Sequence, residues 1–336
     1  MKKKLSQMLA VVVSLLLMFS LTACSSSTST SVSKDQGKKK IGILQVVEHP
    51  SLNEIREAIV KELSDKGFKD GENITIDYQN AQGDQSNLKT MAKKFVNGKY
   101  DLIIAVATPS AQAVASETKD IPILFASVLD PIGAGVVSNF EKPGGNITGT
   151  SNAVSADKVM DLAQKITPNI KKLGTIYNPG ESNSAFIIKD LKDYVAKNNI
   201  TLVEAPITSS AEVQQAASSL VGKVDAILIP NDNTVATAMP TVSQIAIKAK
   251  IPVYVTADSL VRDGGLATNG INYTTLGKET ADMGVEILNG KKPGDIPVKT
   301  MDKMSIYLNK DTANALGITF PEDIVKQAFQ IVETQK

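Results

Sequence analysis

The sequence predicts an α/β protein of two similar lobes, each built on a parallel sheet. Three observations lead there. Short runs rich in valine and isoleucine alternate with longer stretches at helical spacing, the pattern of βαβ units. The series runs through the first half and starts again near residue 171. Signposts then recur in the same order: Lys39-Lys40-Ile41-Gly42 with Lys171-Lys172-Leu173-Gly174, Gly98-Lys99-Tyr100-Asp101 with Gly222-Lys223-Val224-Asp225, and Ile121-Pro122 with Ile251-Pro252.

The first series opens with a strand over 41–47 and a helix over 51–66 that carries Leu52, Ile55, Ile59 and Leu63 on one face. A strand over 74–79 and a helix over 86–97 follow. Next come a strand over 102–107, a helix from about residue 110 and a strand over 123–127. Pro143-Gly144-Gly145-Asn146 is a turn. The second series gives a strand over 171–176, a helix over 184–197 and a strand over 202–205. It continues with a helix over 211–220 and strands over 226–229 and 251–254. Each Gly-Lys-x-Asp stretch feeds a central strand, and the polar turn after that strand lies at its carboxyl end. In open parallel sheets that edge is where ligands bind. Two lobes facing each other would hold a ligand between their strand ends.

At the amino terminus, Lys2, Lys3 and Lys4 precede an apolar run from Met8 to Leu21, followed by Thr22, Ala23 and Cys24. The run is shorter than the roughly 20 residues a membrane span needs, and the whole reads as a secretory signal. Its end resembles the lipobox of bacterial lipoproteins, L-x-[AG]-C. The resemblance implies cleavage before Cys24, a diacylglyceryl thioether on its sulfur and acylation of the new amino group. Residues 1–23 are then a signal peptide and 24–38 a flexible polar tether. The body is expected to be extracytoplasmic and lipid-anchored to the cell membrane, since two or more acyl chains hold durably where one does not.

The composition removes several function classes. The chain has 336 residues and a net charge of +1, which gives no electrostatic case for nucleic acid. One cysteine, already assigned to the anchor, leaves no disulfide framework, and with one histidine there is no His or Cys metal site. Gly133-Ala134-Gly135 and Asp263-Gly264-Gly265 lack the dinucleotide spacing, and there is no Walker A sequence, so no cofactor is expected. His49 has no cysteine to partner it, and catalysis is not expected of it. There is no tryptophan.

Candidate binding residues cluster at the strand ends. Thr108, Pro109 and Ser110 open a helix whose free N–H groups and hydroxyls would seat a carboxylate. Ser127 and Asp130 end the last strand of the first series. In the second, Asn178, Pro179, Glu181, Asn183 and Ser184 follow one strand, Asp232 and Asn233 another, and Asp258 a third. These second-lobe loops carry acids and amides, which favours a ligand presenting donors, such as an ammonium group. Each acid has an ordinary alternative as a turn former and each hydroxyl as a helix cap.

Phe125-Ala126-Ser127-Val128-Leu129-Asp130-Pro131, Pro143-Gly144-Gly145-Asn146-Ile147-Thr148-Gly149 and Gly174-Thr175-Ile176-Tyr177-Asn178-Pro179 resemble signature stretches of bacterial ABC-transporter substrate-binding proteins. The subfamily includes binders of tryptophan and tyrosine. The resemblance covers essentially everything after the tether. It implies the type I periplasmic-binding-protein fold: two Rossmann-like lobes with parallel sheets joined by a three-strand hinge. It places 39–152 plus 272–297 in the first lobe and 153–271 plus 298–336 in the second, with a helix over 275–289 returning to the first. A strand over 304–308 and a C-terminal helix complete the second. It also implies a monomer that serves ABC permease and ATPase subunits and captures a zwitterion by hinge closure. The ligand carboxylate would sit against Thr108, Ser110 and Ser127, and the ammonium against Asp258 first and Asp232 next. Asn178, Glu181, Asn183 and Ser184 would form a polar rim, and Pro50, Leu52 and Pro179 an apolar pocket beside His49. Competing readings are a sensory lipoprotein of the same fold, a binder of a sugar or nucleoside, and a surface hydrolase using Ser110 or Ser184 with His49.

Overall fold

In the computed structural model, residues 37–334 except 153 and 302 are described; Cys24 and its lipobox lie outside them. Strand β1 (Lys39–Gln45) is followed by helix α1 (Pro50–Asp65), β2 (Ile74–Asn80), α2 (Gln85–Asn97), β3 (Leu102–Val106), α3 (Thr108–Glu117), β4 (Ile123–Val128) and β5 (Ile147–Ser151). The second series is α4 (Ala156–Ile166), β6 (Lys172–Tyr177), α5 (Ser182–Lys197), β7 (Thr201–Pro206), α6 (Val213–Leu220), β8 (Ala226–Ile229), α7 (Asn233–Ala236), α8 (Met239–Lys248), β9 (Val253–Val255), α9 (Asp258–Arg262) and β10 (Ala267–Gly270). The chain ends with α10 (Tyr273–Leu288), β11 (Lys299–Thr300), β12 (Ser305–Asn309), α11 (Lys310–Leu316), α12 (Glu322–Gln327) and β13 (Ala328–Val332).

The two series form two sheets of one topology. The first has the order β2-β1-β3-β4-β5-β11 and the second β7-β6-β8-β9-β10-β12-β13. Pairing is parallel throughout except between β10 and β12. The recurring signposts have a common physical cause. Asp101 Oδ2 accepts the Lys40 N–H at 2.7 Å, and Asp225 Oδ2 accepts those of Lys171 and Lys172 at 2.8 Å, so each Gly-Lys-x-Asp pins the start of the neighbouring strand. Pro122 and Pro252 open their strands and give their carbonyls to Ile103 and Ile227, both at 2.9 Å. Gly42 and Gly174 occupy matching places in β1 and β6. A Cβ there would lie 2.9 Å from the Phe95 ring in one lobe and 3.0 Å from Leu220 in the other.

Three expectations are corrected. Lys299 and Thr300 pair with Thr150 and Ser151 of the first sheet, so the chain leaves that sheet after Thr300 and not at Pro297. The C-terminal segment, expected as a helix, ends as edge strand β13, because Phe329 packs on Tyr307 of β12 with ring centroids 5.5 Å apart. Strands β5 and β10, absent from the sequence reading, are short, hold few apolar residues and carry Gly, Ser and Asn, which hides their strand character. Helix α10 packs on α1, β4 and β5 of the first lobe. Among the described residues no helix is long and apolar enough to cross a membrane.

Candidate functional site

The carboxyl ends of β1, β3 and β4 face those of β6, β8 and β9 across a cleft. From the first lobe, His49, Ser51, Leu52, Ala107, Thr108, Ser127 and Leu129 line it. Asn183, Asn231, Asp232, Asn233, Ala236, Ala257 and Leu260 come from the second, and Asn152 and Tyr273 from two of the crossings between lobes. The space is small, about 30 Å³, less than an amino-acid side chain fills, so the walls stand closer together here than they would around such a ligand.

The first-lobe wall is built under strain. Ala107, the residue before α3, has φ 74° and ψ 161°, and Ser127 at the end of β4 has φ 62°, both in backbone regions that glycine favours. These turns bring the first turn of α3 and the Ser127 hydroxyl to the cleft. A helix start leaves N–H groups without intrahelical partners and carries partial positive charge. The Ser110 hydroxyl, fully buried behind Thr108, also finds no partner within the protein. This wall suits an anion.

The second-lobe wall is held by two acids that face inward to the protein. Glu181 Oε1 accepts from the Thr234 N–H at 3.0 Å and its hydroxyl at 2.7 Å. Its Oε2 accepts from the Asn233 N–H at 3.1 Å, the Asn183 side-chain amide at 3.0 Å and the Asn233 side-chain amide. Asp232 Oδ2 accepts from the Asn178 N–H at 2.6 Å and the Ser184 hydroxyl at 2.7 Å, while Oδ1 caps α7 through the Val235 N–H at 2.8 Å. Burial first, and the neighbouring Glu181 charge next, push the Asp232 carboxyl well above the usual range. His49 is buried and its pKa is lowered to about 4 by that burial, against the opposing pull of Asn233 and Glu181, so the imidazole is neutral. Its Nε2 lies 3.4 Å from Asn233 Oδ1. His49 Nδ1 and the Oδ1 atoms of Asn152, Asn183 and Asn231 find no hydrogen-bond partner within the protein. Asn183 and Asn231 of the second lobe, with His49 of the first and Asn152 of a crossing, thus offer acceptors.

The lobes also touch directly. The Ser51 and Ser259 hydroxyls are hydrogen-bonded, and the Arg262 guanidinium on α9 reaches Glu54 on α1 at 2.6 Å while holding Asp258 at 3.1 Å. Asn152 and Asn231 donate to the Tyr273 hydroxyl at 3.3 and 3.2 Å.

Of the residues named from sequence, His49, Leu52, Thr108, Ser127, Asn183, Asp232 and Asn233 line the cleft. The others are placed differently. Pro50 is exposed at the first position of α1, and Asp130 turns back to accept the Gly133 N–H at 2.9 Å. Pro109, Asn178, Pro179 and Glu181 line a separate groove of about 480 Å³ at the junction of the lobes. Ser184 is fully buried under Asp232. Neither acid named for the ammonium presents a free charge: both Asp232 oxygens hold loops, and Asp258, although its Oδ1 lacks a partner, is neutralised by Arg262. Sequence reasoning missed Asn152, Asn231, Tyr273 and Arg262. Only Arg262 carried a local signal, its spacing four residues after Asp258 on a helix. Among the described residues no group of three or more His, Cys, Asp or Glu could hold a metal ion.

Residues 40–332 match the family model described as ABC transporter substrate binding protein. A curated relative, the tyrosine-binding protein of Clostridioides difficile strain R20291, is 47% identical over 304 residues, 89% of this chain and 88% of its own. A solved ABC domain in complex with L-Trp from Streptococcus pneumoniae is 40% identical, with a TM-score of 0.85 over 88% of this chain and 100% of that one. A ligand-free, open substrate-binding protein with adhesive properties from Clostridium difficile is 48% identical at the same coverage, with a TM-score of 0.67. The poorer superposition on this open structure, despite its higher identity, agrees with the contacts across the cleft: the lobes are closed. The architecture is that of type I periplasmic binding proteins.

Proposed function

The chain belongs to the ABC-transporter substrate-binding-protein family, and from that premise we propose that it captures an aromatic amino acid, tryptophan or tyrosine, between its lobes. The observation that carries this reading is the split polarity of the cleft, a helix start and hydroxyls around α3 and bare acceptors around His49, Asn183 and Asn231. An amino-acid zwitterion has complementary ends. Its carboxylate would meet the first turn of α3 with Thr108 and Ser127, and its ammonium the bare acceptors of Asn183 and Asn231 in the second lobe and of His49 in the first. Leu52, Leu129 and Leu260 supply apolar surface for a ring. By binding both lobes at once the ligand stabilises the closed state through its differential affinity for it. A membrane permease with its ATPase would receive the closed monomer, with no bond made or broken. Proteins of this family work outside the cytoplasm, and the lipobox at Cys24 would hold this one to the membrane by its acyl chains.

A thermal-shift screen of the common amino acids tests the reading. A ligand at about 100 times its Kd adds about 2.7 kcal/mol to folding stability, so tryptophan or tyrosine should raise the melting temperature by several degrees. Because the chain has no tryptophan, bound L-tryptophan would report itself by indole emission. Stabilisation by a sugar or nucleoside and by no amino acid would overturn the proposal.

A further inference from the structure

Glu181 fixes the orientation of two side chains it touches and of a third beyond them. Its carboxylate only accepts, so the Asn183 and Asn233 amides must each turn Nδ2 toward Oε2. Asn183 is held the same way by the Asn231 carbonyl, which accepts from Nδ2 at 2.7 Å. Asn233 Oδ1 therefore faces His49, and Nε2 of the imidazole must be the donor in that contact. The imidazole is neutral, which leaves Nδ1 a bare lone pair. Two acceptors, His49 Nδ1 and Asn183 Oδ1, thus sit on residues that line the cleft, with their polarity set from behind. Both residues are more than nine-tenths buried, at 7% and 5% exposure, and both atoms lack a partner within the protein.

We infer that His49 Nδ1 and Asn183 Oδ1 are the specificity-determining acceptors for the ligand's ammonium group, and that Glu181 is the positioning residue that fixes them. This deepens the amino-acid reading and rests on it. The ammonium is recognised by neutral lone pairs, with the Glu181 charge one residue behind them and screened from the ligand by its own hydrogen bonds. An ammonium carries three N–H donors and so can serve both acceptors at once, whereas a ligand without an amine leaves them buried and unpaired, which a polar site strongly rejects.

The experiment uses the full chain and two pairs of probes: L-tryptophan with indole-3-propionate, and L-tyrosine with 3-(4-hydroxyphenyl)propionate, each pair differing in the amine. Calorimetric titration should show that His49→Phe and Asn183→Ala each weaken the amino acids by about tenfold or more and the deaminated acids by less than about threefold. The sole histidine makes its tautomer readable by nitrogen NMR. The wild type should show Nε2–H, and Glu181→Gln, which removes one of the two accepting oxygens, should bring in Nδ1–H and weaken the amines selectively. Equal loss for both members of a pair, or an Nδ1–H wild type, overturns the inference while the amino-acid reading stands. A wild type that binds neither amino acid overturns both.

Discussion

Glu54 and Arg262 belong to different lobes, so their ion pair exists only when the cleft is shut. Arg262 is 22% exposed and Glu54 23%, and the 2.6 Å contact is supported by Asp258 on one side and the Thr274 hydroxyl on the other. Glu54→Gln keeps the shape and one hydrogen bond and removes the charge. A hydrogen bond between ions contributes about 1.5–3 kcal/mol against about 1 for a neutral one. The closed state should therefore lose about 1 to 2 kcal/mol, while the open state, where the partners are apart, loses nothing. Apparent affinity scales with the closed population, so L-tryptophan should bind about five- to thirtyfold more weakly. Titration at low and high salt gives a second handle. The wild type should weaken with salt as the partly exposed pair is screened, and Glu54→Gln should respond less. Small-angle scattering with ligand-free protein should show the variant more open. An unchanged Kd together with an unchanged salt dependence would refute the idea that this pair helps hold the lobes together.

Three other perturbations follow from the same geometry. Gly149→Ala places a Cβ 2.0 Å from the Phe125 carbonyl oxygen on the neighbouring strand, so β4 and β5 must separate; thermal unfolding should show a loss of about 3 kcal/mol or more. His49 stands at about 4 in the closed cleft because burial outweighs the opposing pull of Asn233 and the Glu181 charge, and regains its ordinary value of about 6.5 when the lobes part. The closed state then binds fewer protons, so affinity is complete above about pH 7, falls as pH drops through 6.5, and is about tenfold weaker at pH 5.5. Asp232, Asp258 and Asp263 are raised by burial and titrate nearby with the opposite sign, so the difference between wild type and His49→Phe is the readout. Cys24→Ser should abolish acyl labelling and release the chain from the membrane fraction, and continued membrane association would refute the anchor.

The duplication was legible because it is enforced locally: Asp101 and Asp225 each pin a strand start through a contact that their Gly-Lys-x-Asp stretches make obligatory. The strand ends that face the cleft were legible for a related reason, since polar turns after Val-Ile runs can lie only at a sheet edge. What residue type could not reveal was which lone pairs remain free. Asp232 read as a ligand for an ammonium, yet both of its oxygens are engaged by Asn178, Ser184 and Val235. Asn231 did not stand out beside Asp232 and Asn233, yet it lines the cleft and its Oδ1 has no partner within the protein. Asn152 and Tyr273 come from the crossings between lobes, far apart in sequence, and meet only through tertiary folding.

Closure of this cleft is a balance of opposed terms, and their signs explain how a ligand shifts it. The Glu54–Arg262 pair and the Ser51–Ser259 bond favour the shut state with or without a guest. Shutting without one buries His49 Nδ1 and Asn183 Oδ1, locked as acceptors by Glu181, with no partner in the protein. Each unpaired polar group costs about 1–3 kcal/mol, so the two together oppose closure by about 2–6 kcal/mol, of the same order as what the pair and the serine bond return. In the open state water satisfies both atoms. A ligand with donors at that point removes the penalty only in the closed state, which is the differential affinity that population shift demands. The same atoms would then serve recognition and switching, and a variant that keeps both acceptors but loosens Glu181 should bind amines weakly while closing more readily without them.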